Sequence, residues 1–197
     1  MQSWGVDRRG AGKGQAMKNR RGHALWVYLL MGLAVVFGGC QAKEVPLSQE
    51  AQGLKKDMLG ELDKLTAAVL TPAARQDWQA LNPIVQTFYE EMVKAGKVLP
   101  FRIGVLDRDG VARGMFPPAK EQGLDFSGYA TTKTVFNEKK KAQTALHLGE
   151  KKIFAVVSPL LEKDQVIGAV ALVFIEEELQ KTWKVSEKEF LSIDFNK

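Results

Sequence analysis

The chain has 197 residues, 45% of them apolar and 26% charged. That length holds one domain of ordinary size, with or without a leader, and the composition excludes wholesale disorder. A formal charge of +5 points to nucleic acid only until the charges are placed. Six of the 28 basic residues and one of the 23 acidic residues fall within residues 1–39, leaving 22 of each in the body. The body is neutral, so nucleic acid is not an expected partner. The single cysteine, Cys40, excludes an internal disulfide framework and any cysteine-cluster metal site.

Residues 1–39 read as a secretory signal peptide. Lys18, Arg20 and Arg21 form a positive region, and the uncharged apolar run from Ala24 to Phe37 follows. That run falls short of the roughly 20 residues a permanent membrane span needs. Met17 makes a more natural start than Met1. Phe37-Gly38-Gly39-Cys40 resembles the lipobox of bacterial lipoproteins, with Phe37 standing where Leu or Val is usual. The resemblance implies acylation of Cys40 and anchoring in the lipid bilayer of an envelope membrane, because two or three acyl chains hold firmly where one holds marginally. The alternative is a plain signal sequence with an incidental cysteine. Gln41, in place of an Asp that would resemble a retention signal, leans towards the outer membrane. Residues 40–47 are then the lipidated cysteine and a tether, and residues 48–197 a single domain.

From Ser48 the pattern is helical. Leu54, Met58, Leu62, Leu65 and Val69 recur at spacings of three and four. Thr71-Pro72 and Asn82-Pro83 each predict a stop and restart, so residues 48–95 read as helix broken twice, closed by Gly96 as a left-handed cap. Arg102 to Leu106 and Val111 to Phe116 predict a hairpin about Asp107-Arg108-Asp109-Gly110. Pro117-Pro118 ends it, and residues 119–126 read as loop. Ser127 to Lys141 predicts a short helix. Three strands follow over Gln143–Leu148, Ile153–Leu161 and Val166–Ile175, the last two apolar on both faces and joined by the turn at 162–165. Glu176 to Lys184 predicts a helix and Phe190 to Phe195 a final edge strand. The order implies an α+β fold: a five-stranded antiparallel sheet, a long amino-terminal helical segment on one face, and a small cavity under the middle loop and helix on the other.

That order resembles the extracytoplasmic PAS-like sensor fold called Cache, or PDC, over about residues 48–180. The stretches that carry it are Gly104–Gly110, Gly123–Ser127 with Tyr129, Val156–Leu160 and Asp164–Leu172. The resemblance implies an exported, non-catalytic module that binds a small metabolite, often a carboxylate or amino acid, and acts through a signalling partner in the periplasm. Amino-acid-binding members often carry an Arg and a Trp-Tyr pair after the Ser, where this chain has Gly128-Tyr129-Ala130; the aromatic carries over to Tyr129 and the Arg does not. A lipid anchor cannot carry a helix rotation across a membrane, so signalling has to pass through another protein.

The polar residues expected to border the cavity are Ser127, Tyr129, Thr131, Thr132, Arg113, His147 and Ser158, since a polar ligand needs convergent donors in an apolar pocket. The cavity is expected to reach about 300 Å³. No catalytic residue, metal ligand or cofactor is expected. Asp107 and Asp109 lack the further ligands of a calcium loop, and His147 has no companion ligand. Ser158 precedes Pro159 within a strand and is no nucleophile elbow. Lys139, Lys140 and Lys141 with Lys151 and Lys152 form a solvated rim or a patch for anionic headgroups or an acidic partner. The competing reading is a structural or adaptor lipoprotein that docks an envelope protein, with the sheet face filled by large side chains.

Overall fold

A computed structural model of the protein describes residues 46–97 and 100–197. The signal peptide, Cys40 and most of the tether lie outside the described residues. Residues 46–197 form one compact unit. Its first element, α1 (Gln49–Ala74), starts at Ser48, whose hydroxyl accepts from the Ala51 amide. The apolar stripe is buried as its spacing requires, from Leu54 through Val69 to Ala73. The predicted break at Thr71-Pro72 does not occur, and Pro72 sits inside the helix. The proline removes a donor to Ala68, which lies on the solvent-exposed side of the helix, while Val69 and Ala73 keep the helix docked.

A single 3₁₀ turn, Trp78–Ala80, then leads into α2 (Leu81–Lys94). The restart predicted at Asn82-Pro83 comes one residue earlier, at Leu81, with Pro83 in the first turn of the helix. The Asn82 side chain is instead used across the fold, its Oδ1 accepting from the Met115 amide at 3.0 Å. Gly96 closes the helix with φ +63°.

The strands are β1 (Arg102–Asp107), β2 (Ala112–Phe116), β3 (Ala142–Leu148), β4 (Lys151–Glu162) and β5 (Gln165–Ile175). A nine-residue helix, α3 (Ala130–Glu138), precedes β3 and is shorter than the predicted 127–141. The sheet order is β2-β1-β5-β4-β3, every neighbour antiparallel. At the first hairpin the Asp107 carboxylate accepts from the amides of Asp109 and Val111, which fixes the turn. After β5 the chain forms α4 (Glu176–Trp183) and α5 (Glu187–Ser192). The predicted edge strand over 190–195 is therefore a helix and a tail. Ser186 caps it by accepting from the Glu189 amide, and Phe190 and Ile193 bury the same side.

The two sheet faces differ in the size of their side chains. One packs on α1, α2, α4 and α5 through Ile103, Val105, Phe154, Val156, Leu160, Leu172 and Phe174, all buried in the main core. The other carries Gly104, Leu106, Ala155, Val157, Ala169 and Ala171, and is covered in part by Phe126, Val135 and Phe136 from the 117–129 segment and α3. Small side chains on the second face leave space that large ones fill on the first.

Candidate functional site

That space is a cavity of about 190 Å³ between the small-residue face and the segment joining β2 to α3. The segment is held as a wall. Its Asp125 bridges to Val111, the amides of Ala112 and Gly123 donate to Leu124 and Ala112, and the Phe126 amide donates to Gly110. The Phe126 and Tyr129 rings lie 5.7 Å apart at the cavity edge, with Tyr129 52% exposed. Strand parity sets the floor: Arg102, Gly104 and Leu106 from β1, Ala171 and Val173 from β5, Ala155 and Val157 from β4, Thr144 and Leu146 from β3. The volume is smaller than the 300 Å³ expected, because Met115 and Phe126 also reach the lining.

Four of the seven residues predicted to border the cavity do so: Tyr129, Thr131, Thr132 and His147. Three do not. Ser158 shares the parity of Phe154, Val156 and Leu160 and is buried towards the helices. Arg113 is drawn to the other side by Asp107, its Nε 2.6 Å from Oδ2, with the guanidinium over the Trp78 ring. Ser127 is exposed, its amide donating to Asp125 Oδ1 and its backbone lying against Gly110. Hydrogen bonding from Ser127, its side chain first and then its amide, holds the Asp125 carboxyl below its usual range.

Two charged lining residues, Arg102 and Glu121, escaped the sequence reading, as did Thr144. The Arg102 Nη2 lies 3.8 Å from Glu121 Oε2, and both side chains are mostly buried. The parity shared by Arg102, Gly104 and Leu106 marks the arginine's face; nothing local marks Glu121, which arrives on a loop. Four of the five lysines of the predicted cluster are ion-paired, Lys139 with Asp164, Lys140 with Glu138, Lys141 with Asp63, and Lys152 with Glu176 and Glu187, while Lys151 lies over the Phe101 ring. Among the described residues no group of three or more His, Cys, Asp or Glu side chains could hold a metal ion, and no helix is long and apolar enough to cross a membrane.

A larger space of about 610 Å³ lies along α1 and α2, bordered by Glu61, Lys64, Ile84, Phe88 and Glu91. It is a groove on the helical layer, on the face of the sheet opposite the smaller cavity.

No protein-family model matches the sequence, and no curated protein matches it. Solved structures do. The sensor domain of DcuS from E. coli superposes with TM-score 0.52 at 17% identity, over 68% of this chain and 97% of that one. The ligand-binding domain of the Pseudomonas fluorescens chemoreceptor CtaA, in complex with L-isoleucine, superposes with TM-score 0.50 at 14% identity, over 81% of this chain and 61% of that one. The same domain with L-serine gives 0.51 at 14%, over 68% and 57%. The fold is that of the Cache sensor domains. The chain spans nearly all of the DcuS domain but about three-fifths of the chemoreceptor domain.

Proposed function

We propose that this chain is an extracytoplasmic sensor module that binds a small organic ligand in the cavity between β1, β5 and the 117–129 segment. It is held at an envelope membrane by acylated Cys40 and acts through a partner protein. The observation that carries the reading is the asymmetry of the sheet. Gly104, Ala155 and Ala171 leave one face hollow, while Phe154, Leu172 and Phe174 fill the other. A docking scaffold has no use for a hollow face, so this favours a ligand over the adaptor reading. CtaA, which shares the fold, is a chemoreceptor whose ligand-binding domain holds amino acids.

Lipid at Cys40 keeps the module on one side of a bilayer, so any change on binding has to be read by a second protein in the periplasm. Gln41 favours the outer membrane. Two experiments test the parts separately. Metabolic labelling with palmitate is expected to mark the chain and to fail on Cys40→Ala; equal labelling of both, or of neither, removes the anchor. A thermal-shift screen of the purified full chain against carboxylates, amines and amino acids is expected to find one class that raises the melting temperature. A flat screen would refute the sensor reading.

A further inference from the structure

We propose that residues 117–122 form a flap over the Arg102 end of the cavity, and that the Arg102–Glu121 ion pair is its latch, weak enough to open without unfolding the domain. As control of a ligand site this rests on the sensor reading; the motion itself belongs to the free chain. The two ends of the flap are pinned. Phe116 pairs with Ile103 in the sheet, and the Gly123 amide donates to the Ala112 carbonyl at 2.8 Å. Between those ends no residue is buried. Segments with so few buried contacts open locally at a fraction of the global cost. Ala119 packs against the smaller core cluster, and Gln122 Nε2 reaches the Arg113 carbonyl at 3.3 Å on the exposed side. The remaining ties to the sheet go to Arg102, whose Nη1 lies 3.4 Å from the Pro117 carbonyl and whose Nη2 lies 3.8 Å from Glu121 Oε2. Arg102 stays with the sheet, its guanidinium 4.6 Å over the Phe101 ring. Of the flap, only Glu121 reaches the cavity lining, so its departure is what opens that end.

The chemistry of the latch sets two effects against each other. At 3.8 Å the groups attract without a hydrogen bond, and the 3.4 Å contact is long for one. Arg102 Nε and Glu121 Oε2 are both buried with no hydrogen-bond partner. A buried ionised group short of its hydrogen bonds carries a desolvation cost that its partner's charge offsets only in good geometry. Swinging Glu121 outwards returns both atoms to water. Attraction closes the flap and solvation opens it, leaving a balance far smaller than the stability of the whole domain. A fixed wall is sealed differently, by apolar contact and backbone bonds. Phe126 shows this on the far side, packed on the smaller core cluster with its amide 2.8 Å from the Gly110 carbonyl. Phe126 and Tyr129 therefore stay in place while residues 117–122 move.

The test is thiol access in the full chain without ligand. Ala155 lies in the cavity floor, 6% exposed, in the same cross-strand row as Arg102 through Val173. Modification of Ala155→Cys by iodoacetamide is followed by mass spectrometry of the peptide that holds the position, with Glu150→Cys as the exposed control. Modification at 155 is expected to be slower than at 150, and unchanged between zero and about 1 M urea, because local opening exposes little surface. Adding Glu121→Gln is expected to speed it at least about tenfold, since Arg102 loses its counter-charge. Adding Arg102→Met and Glu121→Met together is expected to slow it, since an apolar pair has no charge to return to water. Rates that climb with urea from the start would show a floor reached only by global unfolding, and equal rates at 150 and 155 an end that is never closed. Either overturns the flap, as does a Glu121→Gln rate equal to the parent's. Should the variants fail to fold, hydrogen exchange in the wild type decides: the Gln122 amide is expected to exchange at least about tenfold faster than the Phe126 amide, and equal protection overturns the proposal. A flat ligand screen would remove the sensor reading and leave these rates untouched.

Discussion

Replacing Ala171 by Leu measures whether the sheet face is hollow. Ala171 lies on β5 opposite Gly104 of β1 and Val157 of β4, and a methyl group built on Gly104 would come no nearer to it than 3.9 Å. Leucine adds three carbons into the cavity. At about 0.8 kcal/mol for each buried carbon the gain is about 2.4 kcal/mol. Ordering the side chain takes back about 0.5–1 kcal/mol. The balance is about 1.5 kcal/mol of added stability, a rise in Tm of about 3–6 °C for a domain of this size. Thermal unfolding of the full chain followed by circular dichroism reads it, and the same variant is expected to lose ligand binding. In a filled interior the substitution would overpack and lower stability by about 1–3 kcal/mol. The sign of the change is thus decisive: a fall in Tm refutes the hollow face. Leu172→Ala, one residue along but on the helix side, is the control, with an expected loss of about 2–5 kcal/mol.

Other outcomes follow from the same packing. Gly110 has φ +84°, and a methyl group there would meet the Ser127 backbone nitrogen at 2.8 Å, so Gly110→Ala is expected to cost about 1–3 kcal/mol in denaturant titration and to detach the cavity wall from the hairpin. Phe190→Ala removes a buried ring stacked 4.6 Å from Phe154; a loss of about 3–5 kcal/mol is expected, and a loss under 1 kcal/mol would show that α5 is not part of the core. The Lys152 ammonium is raised above its ordinary 10.5 by hydrogen bonds to Glu187 and Glu176. Its contribution is complete below the unfolded value of about 10.4 and fades as pH rises through the higher folded value. Wild type and Lys152→Met are therefore expected to differ in Tm at neutral pH and to converge in strong alkali; a constant gap would contradict the linkage.

The sheet was legible because its signals are local. The Asp-Gly turn and the long apolar runs of β4 and β5 name their partners without tertiary context. The carboxyl end was not. Phe190, Ile193 and Phe195 are spaced for either a strand or a helix turn over so short a window, and the decisive sign was Ser186 three residues before Glu189, a helix-start pattern. Pro72 misled because a propensity penalty was weighed without the packing of Val69 and Ala73 that overrides it. Within the site, parity separates success from failure. Ser158 has the parity of Phe154 and Val156 and could have been assigned to the helix face from the sequence. Arg113 could not, since the register shift between Val105 and Leu106 and the capture by Asp107 are tertiary facts. Glu121 depends wholly on how the loop returns beside β2.

A crystal structure of the chain grown with the best ligand of the thermal-shift screen tests the central claim most directly. The account predicts one molecule between the β1–β5 floor and Tyr129. A cavity left vacant at saturating ligand, or closed by side chains from the 117–129 segment, would contradict it.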